Sequence, residues 1–90
     1  VYSKNTKVVN PSGLHARPVS LFIKKAGEFE SAVTVRNVTR DSDSRDGKSI
    51  LAVMGLAMTC GTEVEISAEG PDEREAVDAL VKLIESGCGE

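Results

Sequence analysis

The stretch NPSGLHARPVSLF, residues 10–22, holds the one histidine of the chain, His15, with Gly13 two residues before it, Arg17 two after it, and Pro18 next to Arg17. Apolar residues follow at Val19, Phe22, Ile23 and Ala26, the i, i+3, i+4, i+7 spacing of one helix face. That pattern starts a helix near Ala16 and puts His15 at its N-cap or beside it. The first N–H groups of a helix have no intrahelical acceptor and point out of its positive end. Such a place favours anions, phosphate above all. Arg17 adds a permanent cation with a planar fork suited to phosphate oxygens. Pro18 falls in the first turn, where its missing N–H is harmless, and Gly13 admits a turn conformation closed to most residues. The positive helix end and Arg17 both disfavour the imidazolium, so His15 is expected to stay neutral near neutral pH and to be available as a nucleophile. A phosphoryl group accepted there would meet amide donors and a guanidinium. A lone histidine at a helix start is, however, commonly a weak cap or a surface residue, and the local pattern alone leaves that reading open. One histidine without partner ligands does not make a metal site, and no nucleophile elbow supports a hydrolase triad.

The elements that must position this stretch are legible in outline. Residues 4–9 are weakly strand-like, and NPSG is turn chemistry. Gly27 is a plausible stop for the first helix. AVTVRNV, residues 32–38, is rich in β-branched residues and predicts a strand. TRDSDSRDG, residues 39–47, is polar and turn-forming, with room for a short exposed edge strand. KSILAVMGLAM, residues 48–58, predicts a short helix with Ile50, Met54 and Ala57 on one side and Gly55 weakening its far end. In CGTEVEISAEG, Val64, Ile66 and Ala68 alternate with Glu63, Glu65, Ser67 and Glu69, a strand with one buried and one wet face. The last segment predicts a helix with Pro71 at its start and Asp72, Glu73 and Glu75 in a first turn that favours anions. Val77, Leu80, Val81 and Ile84 form its apolar face and Gly87 ends it. The order β-α-β-(β)-α-β-α, with strands wet on one side, predicts a two-layer α+β sandwich.

The totals set limits. Ninety residues predict one domain, 1–90. With no Trp, one Tyr and two Phe, the core must be built mainly of Val, Leu, Ile and Ala. A net charge of -3 and a pI near 5.2 argue against a nucleic-acid binder. The apolar runs are too short to span a membrane, and the first residues show no charged-then-apolar leader, so a cytoplasmic protein is expected. Cys60 and Cys88 lack metal-ligand spacing, and two reduced thiols are expected in preference to a disulfide.

GLHARP, residues 13–18, resembles the active-site motif of the HPr family, the histidine-containing phosphocarriers of the bacterial phosphoenolpyruvate:sugar phosphotransferase system. GKSILAVMGLA, residues 47–57, is similar to the family's second motif, around its regulatory serine, and residues 61–87 resemble its last strand and helix. The resemblance covers nearly the whole chain. It implies an open-faced β-sandwich: four antiparallel strands in the order 1-4-2-3 with three helices on one face. It implies that His15 takes a phosphoryl group on Nδ1 from phosphorylated enzyme I and passes it to sugar-specific enzyme IIA domains. Arg17 would stabilise that group, with Ser12 and the backbone of Ala16 and Arg17 completing its hydrogen bonds. The chain would then be a carrier without turnover of its own, a monomer that needs neither metal nor organic cofactor.

Both partners would dock on an apolar rim formed by Val19 and Ser20 on the first helix and Ile50, Leu51 and Met54 on the second. Core packing is the plainer account of Ile50 and Met54, whereas Leu51 lies off their face and is the more telling contact residue. Lys24, Lys25 and Lys48 are candidates for a local positive edge meeting an acidic partner, although a charge run is more often a solvated face. Ser49 resembles the serine phosphorylated by the HPr kinase/phosphorylase; it is equally a good helix N-cap, without the Glu or Gln of a capping box, since Ala52 stands three residues on. Phosphate there would be compatible with the helix N-terminus but would sit in the rim. TRDSDSRDG departs from the family in being longer and more polar, so the third strand is expected to be short or shifted, away from His15. Two other readings stand beside this one: the nitrogen-related phosphocarrier branch, and a regulatory module docking on a transcription factor, whose relatives lack the active histidine.

Overall fold

The structure is a computed structural model that describes residues 1–9, 16–56 and 58–87, with Ala16 described in its backbone only. Four strands, β1 (Tyr2–Lys7), β2 (Ala32–Asn37), β3 (Arg45–Asp46) and β4 (Glu63–Glu69), form one antiparallel sheet in the order β1-β4-β2-β3. Three helices, α1 (Ala16–Ala26), α2 (Ile50–Met54) and α3 (Glu73–Glu85), complete the fold, and the result is the open-faced α+β sandwich expected from the sequence.

The sheet's period of two decides what is buried. In β4, Val64, Ile66 and Ala68 are buried while Glu63, Glu65 and Ser67 stay half-exposed on the opposite face. Val33 and Val35 of β2 join them across the β2–β4 register, in which Val33 faces Ala68 and Val35 faces Ile66. Helix α3 covers this layer with Ala76, Val77, Leu80, Val81 and Ile84. Helix α1 adds Val19, Phe22 and Ala26 and packs against both α3 and α2. Among the described residues, Phe22 is the one fully buried aromatic side chain in an otherwise aliphatic and methionine core, as the composition demands.

Several boundaries differ from expectation. The first strand begins at Tyr2 and ends at Lys7, because its register with β4 runs from Tyr2 opposite Ala68 to Lys7 opposite Glu63. Val8 follows it as a core residue, its amide donating to the Thr62 carbonyl at 2.9 Å. The edge strand β3 exists but is only two residues long, paired with Thr34 and Val35. In α2 the buried side chain is Val53 rather than Ile50 or Met54, because a helix this short turns one position inward and the chain returns to the core only at Leu56 and Met58. Ala57 lies outside the described residues.

Pro71 and Asp72 precede α3 rather than opening its first turn. Asp72 is the N-cap residue, but its carboxylate does not cap α3. It accepts from the Glu30 amide at 3.0 Å, the Ser31 amide at 2.9 Å and the Ser31 hydroxyl. Gly70 makes this junction possible: a Cβ there would lie 2.7 Å from the Ser31 Cα, and its φ of +154° suits glycine. The start of α3 is thereby pinned to the start of β2.

These bonds, the Ser31 hydroxyl first and the Glu30 amide next, hold the Asp72 carboxyl below its ordinary value of 3.8. Asp78 is lowered likewise, by Lys4 first and with help from Tyr2. A carboxyl depressed in the folded state takes up its proton more readily when unfolded. It therefore contributes stability above its unfolded value that is lost as pH falls through the folded one. The expected outcome is a stability plateau at neutral pH that declines as pH drops below about 4. Urea unfolding of Asp72→Asn should show a deficit against the unsubstituted chain at pH 7 that narrows at pH 3; an equal deficit at both would refute the assignment.

Candidate functional site

Helix α1 begins at Ala16, as the apolar spacing predicts, and has no acidic residue in its first turn. Its first amides are therefore at a positive end that no helix carboxylate neutralises. Arg17 is exposed in that turn, and Pro18 is buried one residue further on. The helix is held from its far side by Val19, Phe22 and Ala26 and is terminated at Gly27, whose amide donates to the Ile23 carbonyl at 2.9 Å. His15, the residue before Ala16, and Ser12 lie outside the described residues, as does Cys88.

Helix α2 packs beside α1. Ser49 is its N-cap in extended backbone geometry, φ -111° and ψ 118°, and its hydroxyl accepts from the Ala52 amide at 3.4 Å. The capping role weighed from the sequence is thus real, with the hydroxyl on a half-buried residue. Gly47, just before it, approaches β2 closely: its amide donates to the Val33 carbonyl at 2.7 Å, and a Cβ would lie 2.6 Å from the Val33 Cγ1. Gly55 follows Met54 and donates to the Leu51 carbonyl at 3.0 Å, ending the helix where its weak propensity suggested.

The residues expected to form a rim differ in exposure. Leu51 is 81% exposed, and Ile50 and Met54 are 41% and 43% exposed, so the second helix does offer apolar side chains to solvent. Ser20 is exposed on α1. Val19 is a correction: it is 0% exposed, because its place in the i, i+3, i+4 repeat turns it into the core with Phe22, and it has no surface to offer a partner. Leu21, 40% exposed on α1, escapes a reading of the sequence because it lies off the apolar repeat; that offset is the available signal.

The three lysines weighed as a positive edge differ in their surroundings. Lys48 Nζ donates to the Phe29 carbonyl at 2.8 Å, and Lys25 pairs with Glu28 at 3.4 Å, so both are engaged within the fold. Lys24 stands exposed on α1. Cys60 is a free, exposed thiol in the turn before β4. Among the described residues, no group of three or more His, Cys, Asp or Glu side chains is placed to hold a metal ion, and no helix is long and apolar enough to cross a membrane.

A positive helix start beside a guanidinium, with an apolar rim on the neighbouring helix, can bind a transferring phosphoryl group and dock the protein that brings it. Comparison with known proteins points the same way. A family model described as "PTS HPr component phosphorylation site" matches residues 2–86. The phosphocarrier protein HPr of Haemophilus influenzae is 43% identical over 84 residues, which are 93% of this chain and 95% of that protein. A crystal structure of HPr from Thermoanaerobacter tengcongensis superposes with a TM-score of 0.92 at 42% identity, covering 100% of this chain and 98% of the other. A crystal structure of an HPr dimer from the same organism superposes with a TM-score of 0.77 at 45% identity, covering 94% of each chain.

Proposed function

The chain belongs to the HPr phosphocarrier family of the phosphotransferase system, and we propose that it relays a phosphoryl group from phosphorylated enzyme I to enzyme IIA domains through His15. The observation that carries this reading is the start of α1 at Ala16: the residue directly before it in sequence is the chain's one histidine, and Arg17 stands exposed in the first turn. The family match spans that segment.

In the first step Nδ1 of neutral His15 attacks phosphorus. A P–N bond forms while the bond to the donor's leaving atom breaks, and the donor keeps that electron pair. The dianionic phosphoryl group is then bound by Arg17 and by the first amides of α1, with Ser12 adding a further hydrogen bond. In the second step a nucleophile of the enzyme IIA domain attacks the same phosphorus from outside, the P–N bond breaks, and its electrons return the imidazole to its neutral form. The chain ends as it began, so it acts as a carrier and not as a catalyst with turnover of its own. The chemistry needs no metal or organic group bound to this chain, because each partner protein supplies the other half of each transfer site. Ser20, Ile50, Leu51 and Met54 form the proposed shared docking rim. We place the relay in the cytoplasm and assign it to a single copy of the chain.

The test is reconstitution. Phosphoenolpyruvate-dependent sugar phosphorylation, with purified enzyme I, magnesium and a membrane fraction carrying the sugar permease, should require this chain and scale with its concentration. Activity that is equal without it would overturn the proposal. The nitrogen-related branch and the regulatory module acting on a transcription factor would each give no stimulation in that assay.

Ser49 is proposed as a second, regulatory phosphate site for the HPr kinase/phosphorylase. Its support is its place at the N-cap of the helix that presents Leu51 and Met54. A phosphate there would add about -1.5 to -2 charges inside the rim. Incubation with ATP and the kinase should give one acid-stable phosphate on the unsubstituted chain and none on Ser49→Ala; equal labelling of both removes Ser49 from the proposal.

A further inference from the structure

Asn37 ends β2 with 0% exposure, and its backbone and side-chain polar groups are engaged outside the sheet as well as at its edge. Its Nδ2 donates to the Leu56 carbonyl at 2.8 Å, and its Oδ1 accepts from the Arg40 amide at 3.0 Å. Its own amide donates to the Ser42 Oγ at 2.9 Å, and its carbonyl accepts from the Ser42 amide at 3.0 Å. One side chain therefore ties two segments together: the polar connection after β2, and the chain two residues beyond the end of α2.

Helix α2 is anchored before its start by Gly47, whose amide donates to the Val33 carbonyl at 2.7 Å, and along one side by α1; at its far end stands the side-chain hydrogen bond from Asn37. It is five residues long, and Val53 is its one buried side chain. The Ser49 cap holds its first turn. At its far end, Leu56 is 3% exposed, so its carbonyl lies where water cannot readily replace Asn37 as donor. Leu51 and Met54 stand on this helix, exposed, and their direction depends on where its end is held.

We propose that Asn37 is a positioning residue for phosphoryl transfer: the hydrogen bond its side-chain Nδ2 donates to the Leu56 carbonyl fixes α2 so that Leu51 and Met54 are presented to the donor protein. The inference rests on the reading of those side chains as the docking rim. Without the donor amide, the buried carbonyl is relieved only if the segment after α2 shifts toward water, and α2 shifts with it. Docking then selects the minority of molecules whose rim is in place. The apparent affinity falls by that fraction, while the chemistry at His15, once docked, is unchanged.

Asn37→Asp removes the side-chain N–H donor and, when ionised, also places a charge in a buried position, so Asn37→Ser, which loses the same bond without adding a charge, is measured beside it. Asn37→Asp keeps the shape and the acceptor for the Arg40 amide but places an oxygen against the Leu56 carbonyl. Steady-state phosphorylation by enzyme I, with the intact chain as the varied substrate and all variants folded by circular dichroism, gives KM and kcat separately. Asn37→Asp is expected to raise KM about tenfold, as for a competent fraction near one tenth, with kcat held within about twofold. Val35→Ala, which removes core volume from the same strand and no bond to α2, should leave KM at the original value. An unchanged KM in Asn37→Asp, or an equal rise in Val35→Ala, overturns the positioning role. Leu51→Ala separates the two claims: if it leaves KM unchanged, the rim reading fails and this inference with it. If it raises KM and Asn37→Asp does not, only the role of Asn37 is lost. Should Asn37→Asp not fold, Asn37→Ser in the same assay carries the test with the same two outcomes.

Discussion

His15→Ala is expected to fold as the unsubstituted chain does and to carry no phosphoryl group, with reconstituted transfer to an enzyme IIA domain reduced to background. The fold should survive because the buried side chains that hold α1, Val19, Phe22 and Ala26, are all unchanged in this variant. A substitution that leaves these side chains in place typically costs far less than the loss of a buried one, so the thermal midpoint should stay near that of the unsubstituted chain. Transfer should vanish because a covalent relay has no partial form: without a nucleophilic nitrogen there is no P–N bond, and alanine offers no substitute. Arg17 and the amides of α1 would still attract phosphate, but attraction at the helix start moves no group. The measurement is transfer by radiolabelled phosphoenolpyruvate, read beside the thermal midpoint of the same preparation. Residual transfer well above background in a folded His15→Ala would assign the relay to another residue.

Phe22→Ala should cost the fold far more than loss of the histidine does. Phe22 is 1% exposed and is the one fully buried aromatic side chain among the described residues, so no other fully buried ring can move in to fill the space. Truncations of this type lose transfer free energy and leave a cavity, together about 3–5 kcal/mol. Domains of this size are stable by only about 5–15 kcal/mol in total. At about 4–8 °C for each kcal/mol, the thermal midpoint should fall by roughly 12–40 °C. Leu21→Ala, one residue away but 40% exposed, should lower stability by about 1 kcal/mol at most. The contrast also bears on function, since α1 begins at the proposed transfer site: Phe22→Ala should lose transfer in step with its unfolding, and Leu21→Ala should not. Calorimetry of the two variants decides it; a Phe22→Ala midpoint within a few degrees of the original would mean that α1 does not depend on this contact.

The sequence is most readable where one period runs uninterrupted. The alternation of Val64, Ile66 and Ala68 with Glu63, Glu65 and Ser67 marks β4 and its buried face, and the repeat of Val77, Leu80, Val81 and Ile84 marks the covered face of α3. The same logic places α1 correctly, yet a rim role for Val19 contradicts it: the repeat that defines a helix also says which side is buried, and Val19 belongs to that side. Five residues are too few for a period to declare itself, so α2 is legible as a helix while its inward residue, Val53, is not. The length of β3 depends on how far the chain after Asn37 wanders before pairing with Thr34 and Val35, which no local pattern encodes.

Long-range polar bonds are the least visible. Asp72 reads as an acidic residue opening α3, and its acceptance from Glu30 and Ser31, 42 and 41 positions earlier, appears only in the fold. Asn37 reads as a polar residue inside the strand expected over residues 32–38, although asparagine close to a polar run is also a turn signal, and β2 in fact ends on it. Nothing local tells that its amide reaches Leu56. Of the proposed transfer site, the helix start and the exposure of Arg17 follow from spacing and charge, and the role proposed for His15 comes from the family motif joined to that spacing.

The most direct test of the relay is the mass of the intact chain after incubation with phosphoenolpyruvate, magnesium and enzyme I, followed by fragmentation to locate any added group. The account predicts one phosphoryl group per chain, lost on brief acid treatment and carried by His15. No added group, or an acid-stable one on Ser12, Ser49 or another hydroxyl, would contradict it.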